Sequence, residues 1–215
     1  MVSLWTPVER FDVVIAGVGG QGTILASRII GRAAVIAGLK VRGSELLGMS
    51  QRGGAVYSHV RFGTKVEAPI IPEGAAHILL SFEPAEGLRY LHYLSKNSLI
   101  LVNTKPIIPQ TVSSGLSKYP ELEHILQHYR SYATTITLDA TALAIQAGNP
   151  IATNSAMIGA MVGSGRFPLP AEVMLQAIEE SVRKSLFDVN KKAFYLGFEK
   201  AKQLLESESK KAVAV

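Results

Sequence analysis

Along this chain the spacing of apolar and polar positions changes repeatedly, and the changes alternate strand with helix. Residues 11–16 are almost continuously apolar, as a strand covered on both faces should be. From about residue 20 to 37, Ile24, Leu25, Ile29, Ile30, Ala33, Ala34 and Ile36 recur at helical spacing and form one apolar side. Gly38 ends that helix, and Lys40 and Val41 begin a short second strand. A loop rich in glycine and polar residues, "GSELLGMSQRGG", follows. Residues 55–62 then alternate Val56, Ser58 and Val60 with Tyr57, His59 and Arg61, predicting a strand with two different faces.

Residues 76–82 and 98–103 read as buried strands, with a helix over 84–94 between them that carries Pro84 in its first turn. A helix over 119–129, a strand over 134–139 and a small-residue helix over 140–148 come next. From Asn154 the chain turns helical, first as the small-residue run "NSAMIGAMVGSG", then over 170–183 and 190–206. The expected fold is α/β: a Rossmann-like three-layer domain with a mostly parallel sheet and a helical C-terminal part. A chain of 215 residues suits a single domain over 1–215, with its core in 10–205 and a frayed tail over 207–215.

Composition removes several function classes. Hydrophobic residues at 47% and charged residues at 18% exclude a disordered chain, and every apolar run is too short or too interrupted to span a bilayer. The opening "MVSLWTPVERFD" lacks a basic flank leading into an apolar stretch, so a cytoplasmic protein is expected. With no cysteine, the chain cannot form disulfides, offer a thiolate or ligate an iron–sulfur cluster by itself. The net charge of +5 is uneven: residues 28–65 hold Arg28, Arg32, Lys40, Arg42, Arg52, Arg61 and Lys65 against Glu45 alone. That half can attract an anion. The basic residues from Arg183 to Lys211 are interleaved with acids at helical spacing, a solvated face, and no aromatic platform or zinc-finger pattern points to nucleic acid.

The turn "GVGGQG", residues 17–22, places Gly17, Gly19 and Gly22 at dinucleotide-binding spacing between a strand and a helix. A nicotinamide site also wants an acid about twenty residues on for the ribose hydroxyls. Here that stretch reads Lys40-Val41-Arg42-Gly43-Ser44. Arg42 suits a 2′-phosphate, which leaves open a freestanding NADP- or flavin-dependent reductase. The glycines can also serve only to let helix pack on sheet. A second loop sets Ser50, Gln51 and Arg52 before Gly53 and Gly54, a donor-rich segment suited to phosphate or carboxylate. Loops at the carboxyl ends of the first two strands fall on one sheet edge, where both can face one ligand.

Together, "DVVIAGVGGQGTILASRIIGRAAVIAGLKVRGSELLGMSQRGGAVYSHVRFG", "LLSFEPAEGLRYL", "LILVNTKPIIP" and "NSAMIGA" resemble the gamma-type subunit or domain of 2-oxoacid:ferredoxin oxidoreductases, and within that family the beta subunit of the indolepyruvate branch. The resemblance covers roughly residues 10–205. It implies a non-autonomous subunit of an enzyme that oxidatively decarboxylates an arylpyruvate to its acyl-CoA, with ferredoxin as electron acceptor. Thiamine diphosphate, Mg²⁺ and 4Fe–4S clusters are then expected in a larger partner subunit, with CoA as co-substrate, and the isolated chain can form a homodimer through the face meant for its partner. A metabolite-binding homologue is the further alternative.

The resemblance places the family's motifs on Gly17, Gly19, Gly20, Gln21 and Gly22 and on Ser50, Gln51, Arg52, Gly53 and Gly54, as ligand- or cofactor-facing residues. Gln21 and Arg52 are expected to donate hydrogen bonds to an anionic or carbonyl group, and no residue stands out as a catalytic nucleophile or base. His124 and His128, four apart on a helix, have zinc-pair spacing but no third ligand. His59 is expected to be a hydrogen-bonded strand histidine rather than a residue reaching the ligand, Asn103 and Thr104 to end a strand either as ligand contacts at the sheet edge or as a structural turn cap, and Asn154 to cap a helix rather than bind ligand.

Overall fold

The computed structural model describes residues 8–48 and 53–213. Its centre is a six-stranded mixed sheet ordered β2-β3-β1-β4-β5-β6. The strands are β1 Phe11–Val18, β2 Lys40–Leu47, β3 Ala55–Gly63, β4 Ala76–Ser81, β5 Leu94–Asn103 and β6 Thr134–Leu138. β1 pairs parallel with β4, β4 with β5, and β5 with β6. On the other side of β1 lies β3, antiparallel to it and to β2. β2 therefore runs in the same direction as β1 without touching it.

The helices are α1 Thr23–Ile36, α2 Pro84–Leu88, α3 Gln110–Ser113, α4 Leu122–Tyr132, α5 Ala140–Ala147, α6 Thr153–Gly163, α7 Ala171–Ser181 and α8 Phe187–Val213. The expected α/β class and largely parallel sheet are found, with the β2–β3 hairpin as the antiparallel addition. β2 is much longer than expected and takes in Gly43 to Leu47, which pair with Val60 to Val56. Its polar residues read as a loop because β2 is the exposed edge of the sheet, where polar and charged side chains belong. The helix expected over 84–94 is the short α2 followed by a 3₁₀ turn, Leu91–Tyr93. α3 was not anticipated, and α8 continues to Val213 through most of the expected tail.

The sheet has a core on each face. Val13, Ile15, Ile78, Leu80, Leu99 and Leu101 point to the side covered by α1 and α5–α8, whereas Val14, Ala16, Leu79, Ile100 and Val102 point to the side covered by α2 and α4. α6 is buried from Thr153 to Val162, so it shows no amphipathic period. It lies so close to α8 that a Cβ built on Gly159 would stand 1.9 Å from the Phe194 carbonyl oxygen, and one on Gly197 1.9 Å from that of Ala156. Small residues here set the distance between the helices. No helix among the described residues is long and apolar enough to cross a membrane.

Because α1 leaves β1 on one face and α2 leaves β4 on the other, the carboxyl ends of β1 and β4 flank a topological switch point. Open α/β sheets bind ligands in such a crevice.

Candidate functional site at the switch point

The glycine turn is built by its own glutamine. The Val18 amide donates to Gln21 Oε1 at 2.9 Å, and Gln21 Nε2 donates to the Phe82 carbonyl at 2.8 Å, tying the end of β1 to the end of β4. Gly17 makes room for that fold: a Cβ there would lie 2.7 Å from Gln21 Oε1 and 2.9 Å from both Phe82 Cβ and Thr23 Cγ2. Asn103, fully buried at the end of β5, donates to the same Phe82 carbonyl at 3.0 Å and accepts from the Ala140 amide at 3.0 Å. One backbone oxygen thus aligns three strand ends and the start of α5.

The two loops singled out in the sequence meet. The Gly19 amide donates to the Gly54 carbonyl at 2.8 Å, and the Gly53 amide donates to the Gly19 carbonyl at 3.2 Å. This pairing carries the β1–β3 ladder past the strand ends. Ser50, Gln51 and Arg52 lie outside the described residues.

Beyond the turn opens a cleft of about 470 Å³, walled by Gly20, Gln21, Gly22 and Leu25 on one side and by Lys105, Ile107, Thr141, Ile151 and Asn154 on the other. Gly22 is the N-cap of α1 at φ 77°, a left-handed conformation that favours glycine, and no side chain caps that helix. Neither does a side chain cap α6, whose N-terminus also reaches the cleft. Asn154, 2% exposed, accepts from the Ser155 amide, and its Nδ2 lies 3.2 Å from the Cβ position of Gly22. It lines the cleft rather than capping α6, whose N-cap is Ala152. Two helix N-termini whose N-cap residues supply no side-chain acceptor, each a positive dipole end, make the cleft suited to an anion. Lys105 adds an exposed ammonium that forms no ion pair among the described residues. Sequence reasoning passed over it; its only signal was its place just after a strand ending at the ligand edge.

The acids nearby are structural. Glu83 is 2% exposed; its carboxylate accepts from the Glu86 amide at 2.9 Å, the Ile107 amide at 3.3 Å and the Tyr119 hydroxyl at 2.5 Å. Burial and then this bond to Glu83 push the Tyr119 phenol far up. Glu83 pins the chain after β5 against α2, so it is not free to act as a base.

Other sequence candidates separate from the cleft. His59 is a buried strand residue: its Nδ1 accepts from the Ile71 amide at 2.9 Å. Burial, reinforced by the Arg61 charge, lowers its pKa to about 4, so it is neutral at physiological pH. His124 and His128 are exposed on α4, and no group of three potential metal ligands occurs among the described residues. Arg42 lies in mid-β2, bonded to the carbonyls of Glu67 and Val41, and β3 separates that strand from β1. In a nicotinamide site the second strand lies beside the first, so Arg42 does not take the ribose-phosphate position.

With β3 rather than β2 beside β1, the cleft at this switch point lacks the strand order of a nicotinamide site, and the α/β fold with its two-loop rim is that of an oxidoreductase subunit domain. The family model for pyruvate ferredoxin/flavodoxin oxidoreductase matches residues 12–200, and the chain belongs to this family. The indolepyruvate oxidoreductase subunit IorB of Pyrococcus horikoshii is 46% identical over 200 residues, covering 92% of this chain and 99% of that protein. IorB of Archaeoglobus fulgidus is 44% identical over 193 residues, covering 89% and 96%. Among solved structures, the gamma subunit of keto/oxoacid ferredoxin oxidoreductase from Geobacter sulfurreducens PCA superposes with a TM-score of 0.65 at 26% identity, covering 89% of this chain and 98% of that one.

Proposed function

We propose that this chain is the small subunit of an indolepyruvate, or arylpyruvate, ferredoxin oxidoreductase, and that it closes over an active site carried by a larger subunit. The observation that carries the reading is the 46% identity to an IorB subunit across 99% of that protein's length. The reaction converts a 2-oxoacid and CoA to acyl-CoA and CO₂ while two electrons pass to ferredoxin. Thiamine diphosphate with Mg²⁺ supplies the carbanion sink, and 4Fe–4S clusters carry the electrons. This chain's residues do not fit those groups: it has no cysteine, and no acidic cluster among its described residues could hold a diphosphate-bound Mg²⁺. They belong to the partner.

This chain supplies electrostatics and shape. The N-termini of α1 and α6, with Lys105, attract the phosphates of CoA or of the partner's cofactor, and Leu25, Ile107 and Ile151 offer an apolar wall to an aliphatic arm. In this reading Gly20, Gln21 and Gly22 face the ligand, Gly17 and Gly19 shape the turn behind them, and the loop Ser50, Gln51, Arg52, Gly53 and Gly54 completes the rim, with Arg52 neutralising phosphate charge. Gln21 has one amide donor engaged by Phe82, which leaves its second N–H for the ligand. The complex acts in the cytoplasm.

Reconstitution tests the reading. Adding this chain to the cluster-bearing thiamine subunit is expected to restore indolepyruvate- and CoA-dependent ferredoxin reduction. Tight NADP(H) or flavin binding by the isolated chain, with no effect on the partner's activity, would overturn it.

A further inference from the structure

At the opposite end of the sheet from the cleft, where β1 and β4 begin, a pocket of about 290 Å³ lies between Arg10, His77 and Arg166. From its geometry we infer a binding site for an oxyanion of phosphate size, independent of the ligand cleft. Behind Arg10 lies Asp12, fully buried, whose Oδ1 takes a 2.8 Å bond from Arg61 Nε while Arg10 Nε stands 3.2 Å from Oδ2. Arg166 Nη2 donates to the Asn97 carbonyl, a neutral partner. Two guanidinium groups, Arg10 and the buried Arg61, therefore share one carboxylate, while Arg166 has no acid partner among the described residues, so positive charge at the pocket exceeds negative.

His77 completes the donor set. Its ring stacks on Phe11 with centroids 4.6 Å apart, and its Nδ1 accepts from the Asp12 backbone amide at 3.1 Å. A nitrogen that accepts carries no hydrogen, so the neutral ring holds its proton on Nε2, as a donor. The pocket thus offers an imidazole N–H and two guanidinium groups fixed by protein bonds, the arrangement that recognises an oxyanion. The charged groups acting on His77 are Asp12, Arg10 and Arg166; burial first, and then the two arginines against the opposing pull of Asp12, hold its pKa below the ordinary value. A bound anion would offset the arginines.

The test is a titration of the full chain with inorganic phosphate, and separately with a phosphomonoester, followed by NMR of the His77 ring. Saturable binding is expected to move the His77 titration midpoint upward, because a bound anion favours the charged ring. Arg166→Gln is expected to weaken binding about tenfold, and Arg10→Gln similarly, each checked for folding by circular dichroism. Lys200→Gln, which removes an exposed charge on α8, is expected to leave it unchanged. Equal affinity for both probes assigns the site to the free ion, and tighter binding of the ester to a phosphorylated metabolite. A non-saturable response, or equal weakening by all three substitutions, would reduce the pocket to general electrostatics and overturn the inference.

Discussion

The two faces of the sheet are built on different principles. Against the face covered by α1 and α5–α8, apolar side chains pack and the α6–α8 distance is set by glycines whose neighbours are backbone carbonyls. The face covered by α2 and α4 buries polar groups instead: Asp12 paired with Arg61, His59 between the rings of Tyr57 and Tyr93, and Tyr129 donating to the Pro84 carbonyl at 2.7 Å. Packing by shape tolerates pH and fails by collision. Packing by polar pairs fails when one partner is lost, because the survivor is left buried without compensation.

The largest expected effect is on the polar face. Asp12→Ala removes the only carboxylate among the described residues that pairs with Arg61, which is 7% exposed, and should cost about 3–5 kcal/mol in urea unfolding. Gly159→Ala follows on the other face. Helix propensity alone would favour alanine by roughly 1 kcal/mol, but the collision with the Phe194 carbonyl should reverse the sign and give a net loss of about 3 kcal/mol. A neutral or stabilised variant would show that the helices part freely.

The pH dependence separates the faces most directly. His59 has a folded pKa of about 4, below its ordinary 6.5, so the unfolded chain binds the extra proton between those values. Stability should be full above pH 6.5, fall as pH drops toward 4 by up to about 3 kcal/mol, and lose this dependence below that. His59→Gln, whose amide oxygen can still accept from Ile71, should flatten that part of the profile in thermal melts. Gly159→Ala should shift the whole profile without changing its slope. The smallest effect belongs to Tyr129→Phe, which loses the bond to Pro84 and the contact with Ser81 and should cost about 1 kcal/mol in the same unfolding assay.

Much of this was legible in the residues. The period changes located β1, α1, β3 and the C-terminal helices, and the glycine turn fell where a ligand crevice forms. The alternation of Tyr57, His59 and Arg61 against Val56, Ser58 and Val60 already separated the two faces. What escaped has physical reasons. β2 read as a loop because an edge strand needs no apolar face, and Gly43 suggested a break where it pairs with Val60. Asn154 read as a cap because asparagine before an apolar helix usually is one; that it instead faces Gly22 depends on how α6 docks beside α1, which no local pattern encodes. The role of Phe82 was invisible in principle, since it is played by a backbone carbonyl that every residue possesses.

That carbonyl has a consequence for how the cleft meets its ligand. An oxygen with two lone pairs that already receives Gln21 and Asn103 has no acceptor capacity left, and the ends of β1, β4 and β5 are pinned to it within hydrogen-bond length. The walls are preorganised: the entropy of placing them is lost on folding rather than on binding. A ligand entering between Gly22 and Asn154 meets a frame it need not rearrange, and more of its contact energy remains as affinity.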